Sequence, residues 1–276
     1  MKQLLKFRIC LFILFIILNV VLYAQDQESN TMGRRFTSDV SDAFDGSVHV
    51  VTRPFHWQGD DWLNFGYVIA GAAAISLFDT EVRNFFLRNE SGSDHVLVKI
   101  GEFYGEPLSV VAITGCIYLF GNIADNDWAR ETAVIMTAAL IPGGICQTIA
   151  KISAGRARPY LELGPNYFEP FRREEDYYSF VSGHTLVATA TSLVLASRIN
   201  NAIAKGALYS IGLLTGVARL YSDDHWISDV FLGGLLAGAV TYSASKWHDE
   251  KKQSHTNRLN IRLIPMKNGF TLSLSW

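Results

Sequence analysis

Apolar stretches separated by short polar breaks dominate the chain. Lys2, Lys6 and Arg8 precede an uncharged run from Ile9 to Tyr23, and the sequence turns polar at Gln25 and Asp26. A basic start, an apolar run and the small residue of Leu22-Tyr23-Ala24 predict a signal peptide over residues 1–24, or a signal anchor if it stays uncleaved. Residues 25–60 are polar, with Gly33, Gly46, Pro54 and Gly59, and read as a loosely structured lead-in. Six stretches without Asp, Glu, Lys or Arg follow: Trp62–Phe78, Pro107–Ala124, Thr132–Ala150, Thr185–Ser197, Gly206–Ala218 and Val230–Ser245. Their length and their Ala, Leu and Gly content predict helices. Crossing the hydrocarbon core takes about 20 residues, with a range of about 17–25. Three stretches reach that range, and three fall short unless Arg198 and Lys205 snorkel to the interface. The tail differs: Leu259–Pro265 and Phe270–Trp276 flank Asn268-Gly269, a hairpin signal. The expected layout is an all-α helical domain over residues 61–248 and a tail over 249–276 with a short β-hairpin.

Composition narrows the picture. Of 276 residues, 49% are hydrophobic and 18% charged, which excludes a disordered chain. A net charge of −2, from 24 basic and 26 acidic residues, argues against nucleic acid as the main partner. Cys10, Cys116 and Cys146 have no CxxC spacing, so they form neither a disulfide framework nor a zinc cluster. Mean hydropathy is low for a protein mostly inside a bilayer, which keeps a soluble helical bundle in play.

The informative polar residues sit at the edges of the later apolar stretches. Lys151 and Arg158 are seven residues apart, two helical turns, and share a face; Pro159 marks the helix end. Such a cluster also suits a membrane-interface anchor or a helix-dipole partner. Ser182-Gly183-His184 opens the next stretch, with Ser182 as N-cap and free N–H groups that form an anion site. His225 and Asp229, spaced i, i+4, face each other on a new helix after the polar break Ser222-Asp223-Asp224, with Arg219 six residues earlier. Taken alone, that pair also fits a surface ion pair. Together the three groups supply three cations, a helix-terminus cradle, two histidines and a carboxylate, the inventory for holding a phosphoryl group and displacing its ester oxygen.

In that order and spacing the groups resemble the type 2 phosphatidic acid phosphatase superfamily, with its signature Lys-x6-Arg-Pro, Pro-Ser-Gly-His and Ser-Arg-x5-His-x3-Asp. Lys151, Arg158 and Pro159 match the first part. Ser182, Gly183 and His184 match the second, with Val181 in place of proline. Arg219, His225 and Asp229 match the third, with Ala218 in place of serine. The resemblance covers roughly residues 100–245 and implies the superfamily's helical bundle. It implies that His225 attacks phosphorus with Asp229 orienting it, and that His184 protonates the leaving group and then activates water. Lys151, Arg158, Arg219, Ser182 and Gly183 would bind the phosphoryl oxygens, without a metal or cofactor.

The implied substrate is a lipid phosphate or pyrophosphate: phosphatidic acid, phosphatidylglycerol phosphate, undecaprenyl pyrophosphate or a lipid A phosphate. With the signal, this places the protein in a bacterial cell envelope as a multi-pass inner-membrane enzyme with a periplasm-facing site. Alternatives are a soluble periplasmic acid phosphatase for small esters, a vanadium-dependent haloperoxidase, an inactive envelope protein and a phosphotransferase. The long segment Tyr160–Phe180 reads as a lid over the leaving group, with Arg172 and Arg173 as anchors, or as a solvated loop. The sequence leaves the oligomeric state unknown.

Overall fold

The computed structural model describes residues 31–89, 96–256, 260–266 and 269–275; the expected signal segment lies outside them. The architecture is an all-α bundle. Nine helices occur among the described residues: α1 (Thr31–Thr52), α2 (Gly59–Ser76), α3 (Asp79–Arg88), α4 (Val96–Gly105), α5 (Pro107–Ile123), α6 (Asp127–Ala154), α7 (Gly183–Ser197), α8 (Ala202–Tyr221) and α9 (Ile227–Thr256). Each of the six charge-free stretches falls in one of α2 and α5 to α9. Three helices went unread because charges interrupt their apolar pattern.

Residues 31–52, expected to be loosely structured, form α1, which packs along α6 and α9. Its polar residues are used in docking. Asp39 accepts from Arg130 at both carboxylate oxygens and from the Tyr118 hydroxyl, each at 3.0 Å. Lys251 reaches Asp42 at 2.8 Å. Val50 joins Ile135, Met136, Ala138, Ala139, Val194, Val240 and Ala244 in the core between α1, α6, α7 and α9. The inner helix α7 buries Leu186, Ala188, Ala190 and Val194 completely. Its run of small side chains lets α6, α8 and α9 close around it.

The outer faces are apolar. Ile141, Ile145, Ile149 and Ile152, near four-residue spacing on α6, are all exposed, and so are Leu213 and Val217 on α8 and Phe120 on α5. The helices α6 and α9 are long and apolar enough to cross a membrane. Up to four spans result if the bent pairs α2–α3 (48°) and α4–α5 (67°) each count as one. By length and composition these helices suit a body embedded in a membrane. The all-α body does not depend on the C-terminal hairpin, which stays an expectation.

Candidate active site

The three sequence motifs meet at one end of the bundle, where α6 ends, α7 begins, α8 ends and α9 begins. Lys151 lies in the last turn of α6, which stops at Gly155 in the left-handed conformation (φ 57°), with the Gly155 N–H donating to the Lys151 carbonyl at 2.9 Å. A Cβ at Gly155 would lie 1.7 Å from the Glu169 carbonyl oxygen, so only glycine fits. Beyond it the chain forms a strap. Glu169 N–H donates to Gly155 O (2.8 Å), Ala157 N–H to Tyr167 O (3.0 Å), Arg158 N–H to Asp176 O (2.9 Å) and Ser179 N–H to Arg156 O (3.1 Å). Tyr160–Phe180 is therefore ordered backbone braced on the end of α6.

His225 is buried between α8 and α9, and its Nδ1 lies 2.7 Å from the Ser179 carbonyl oxygen. A carbonyl only accepts, so Nδ1 carries the proton and Nε2 keeps its lone pair. Burial and the fields of Lys151 and Arg158 hold this imidazole well below its ordinary pKa, so it is neutral at pH 7. The expected direct contact with Asp229 is corrected. Asp229 Oδ1 accepts from Arg156 Nη1 (2.6 Å), and Oδ2 accepts from the Ser179 hydroxyl (2.6 Å) and the Trp226 N–H (3.1 Å). Asp229 thus reaches His225 through Ser179, whose side chain it holds and whose carbonyl holds the imidazole. Helical i, i+4 spacing fails here because α9 starts only at Ile227, leaving His225 outside it.

Behind that pair lies Arg156, a residue the sequence did not single out. It bridges Asp229 and the buried Asp79 (2.7 Å) and donates to Ser228 (2.8 Å) and to the Pro165 carbonyl (2.9 and 2.7 Å). Asp79 also takes the Ser228 N–H (3.0 Å) and hydroxyl (2.9 Å). Two buried carboxylates around one guanidinium are tolerable only because these donors saturate them.

Two of the cations expected to bind the phosphoryl group, Arg158 and Arg219, have defined partners. Asp224 accepts from Arg158 Nη1 at one oxygen (2.8 Å) and from Arg219 Nη1 at the other (3.0 Å). Arg219 also donates to Glu102 (2.6 Å), which takes the Ser222 hydroxyl at 2.7 Å. Its Nε is buried and has no partner among the described residues. Lys151 makes no ion pair among them, so its ammonium and Arg219 Nε remain as donors for a ligand.

Ser182 caps α7, its Oγ accepting from the Thr185 hydroxyl at 2.9 Å and keeping its own proton to give. The absent proline before it is offset by Gln147 on α6, whose Nε2 donates to the Val181 carbonyl at 3.2 Å. Ala218, at the usual serine, is fully buried against Gly101. His184 Nε2 lies 3.3 Å from Glu106 Oε2, so Nε2 carries a proton toward that carboxylate. Burial and Arg219 lower this imidazole to about 4, against an opposing pull from Glu106.

Arg172 is not free to meet a substrate. It stacks on Tyr177 at 3.8 Å and pairs with Glu169 and with Glu174 (2.9 Å). Arg173 is exposed beside it. Among the described residues no cluster of His, Cys, Asp and Glu is placed to hold a metal ion.

Residues 132–253 match the family model described as PAP2 superfamily, and that region contains all three motifs. Residues 132–253 are thus a PAP2 superfamily region. Across 172 residues the chain is 22% identical to an undecaprenyl-diphosphatase of Sulfolobus acidocaldarius, covering 60% of this chain and 76% of that protein. Two crystal structures are similar to it. Aquifex aeolicus LpxE has a TM-score of 0.48 at 19% identity, covering 61% of this chain and 95% of its own. A transmembrane PAP2-type phosphatidylglycerolphosphate phosphatase from Bacillus subtilis has a TM-score of 0.37 at 18% identity, covering 88% and 96%.

The matched region excludes residues that complete the site. Asp79, Arg83, Glu102 and Glu106 precede it, yet they hold Arg156, Asp223, Arg219 and His184. One signal for the glutamates was present in the sequence: Glu102 and Glu106 are spaced i, i+4, each directly after a glycine. Gly101 and Gly105 let α4 close on α8, since a Cβ there would lie 2.8 Å from the Leu214 oxygen and 2.3 Å from Thr215 Cγ2. That approach carries both glutamates into the site.

Proposed function

We propose that this PAP2 protein is a metal-independent lipid phosphate phosphatase working through a phosphohistidine at His225. The observation that carries the reading is the Nδ1–H bond to the Ser179 carbonyl, which leaves Nε2 unprotonated among three cations. In the first step Nε2 attacks phosphorus and the ester P–O bond breaks. The leaving oxygen takes the Nε2 proton of His184 in its imidazolium form, which the negative charge of the bound phosphate favours. Water then attacks phosphorus as the P–N bond breaks, gives its proton to His184, and inorganic phosphate leaves. Lys151, Arg158, Arg219, the Ser182 hydroxyl and the Gly183 N–H stabilise the charge spreading over the phosphoryl oxygens. Asp229 acts on His225 through Ser179.

A lipid substrate is supported by the exposed apolar faces of α6 and α8 and by Lys151 closing one candidate span. The named activities of the relatives, on undecaprenyl diphosphate and phosphatidylglycerol phosphate, point the same way. We place the site on the periplasmic side of a bacterial inner membrane, in keeping with the signal expected over residues 1–24. The strap would edge the leaving-group side, with Arg173 as its free cation. The tail hairpin is supported by antiparallel pairing of Asn260–Met266 with Gly269–Ser275.

The test is phosphate release by purified protein in EDTA, wild type against His225→Ala, from phosphatidic acid and p-nitrophenyl phosphate. Release in chelator that falls at least about 10³-fold in the variant is the expected result. Equal release from both proteins would rule out His225 as nucleophile. Preference for the small ester would favour an acid phosphatase over a lipid enzyme.

A further inference from the structure

With His184 as the acid, the leaving group departs past His184 Nε2, and Glu106 stands there. Its Oε2 lies 3.3 Å from that nitrogen, and its side chain is 36% exposed. Glu106 is fixed by the fold. It caps α5 directly after Gly105, where a Cβ would come within 3.1 Å of His184 Cβ, and the chain turns through 67° at this point. The departing oxygen must reach the same Nε2 proton, so it leaves beside a carboxylate.

Arg158 and Arg219 share Asp224, and Arg219 also serves Glu102, so carboxylates already sit on these two cations, while Glu106 lies on His184.

We infer that Glu106 is a specificity-determining residue that favours phosphomonoesters and disfavours diphosphates at this site. Once His184 has donated its proton, a monoester leaves as a neutral alcohol. A diphosphate leaves as a phosphate ester still negatively charged, next to Glu106 in a half-buried setting where like charges repel more strongly than in bulk water. The inference rests on the proposed roles of His225 and His184.

The experiment uses the full chain in detergent with a matched pair, phosphatidic acid and the diphosphate of the same diacylglycerol, and compares kcat/KM. Wild type is expected to prefer the monoester. Glu106→Gln, which keeps the size and an acceptor for Nε2–H, is expected to shift the ratio about tenfold towards the diphosphate. Glu106→Asp keeps the charge and should keep the wild-type preference. A wild-type preference for the diphosphate, or an equal change on both substrates in Glu106→Gln, overturns the inference and leaves the phosphatase reading intact. Wild type no more active than His225→Ala on either substrate overturns that reading and the inference with it.

Discussion

His184 and His225 are both held neutral by burial and by neighbouring cations, and that has a consequence for acid stability. Their folded-state values lie below the ordinary 6.5, that of His184 at about 4. Between about pH 6.5 and 4 the unfolded chain therefore binds protons that the folded chain refuses, so stability falls as pH drops through this window. The unliganded protein is expected to melt at a lower temperature at pH 5 than at pH 7.5 in the same detergent. His184→Gln should narrow that difference, and an unchanged difference would show that His184 does not contribute. Lys151, Arg158, Ser182, His184, Arg219 and His225 were all legible from the sequence, because their chemistry and spacing go together. Arg156 and Asp79 were not, since a lone arginine beside a recognised one and a lone aspartate at a helix bend carry no local signal. Only the fold shows that Asp79 and Arg156 are buried together 77 positions apart.

Among the elements, the six apolar stretches were read as helices with ends within about five residues, apart from the polar extension of α9 to Thr256. Charge-free runs mark where a helix is lipid-facing or buried, but they say nothing of a helix that spends its charges on neighbours. For that reason α1, with Asp39 and Asp42 paired to Arg130 and Lys251, read as a loose lead-in. Tyr160–Phe180 read as lid or loop because its order comes from backbone bonds to residues 152–158, which leave no trace in side-chain pattern. The hinge of this arrangement is Gly155. Gly155→Ala would force a left-handed alanine and a clash with the Glu169 carbonyl. It is expected to cost at least about 1–2 kcal/mol, lowering both Tm and kcat, because Arg158 rides on the same strap. A variant with wild-type Tm would show that the strap can part from α6 freely.

At the scale of the whole molecule, the candidate site gathers at one end of the bundle and the ion pairs of Glu131 with Arg198 and Lys252 lie at the other. If the apolar belt between them is embedded in lipid, the two ends face opposite sides. Single cysteines at Arg173 and Lys252, in a background with Cys10, Cys116 and Cys146 replaced, should then react with a membrane-impermeant maleimide from opposite sides of sealed vesicles. Labelling of both from one side would contradict a spanning body.

Asp79, Glu102 and Glu106 are translated well before their partners. Asp79 waits for Arg156 and then Ser228, Glu102 for Arg219, and Glu106 for His184. While the chain is emerging from the ribosome, these carboxylates precede the partners named here, and every nascent chain shorter than 225 residues lacks the proposed nucleophile. If His225 is the nucleophile proposed above, hydrolytic power arrives in one step, with the α8–α9 turn, after helices α1 to α8 have been translated.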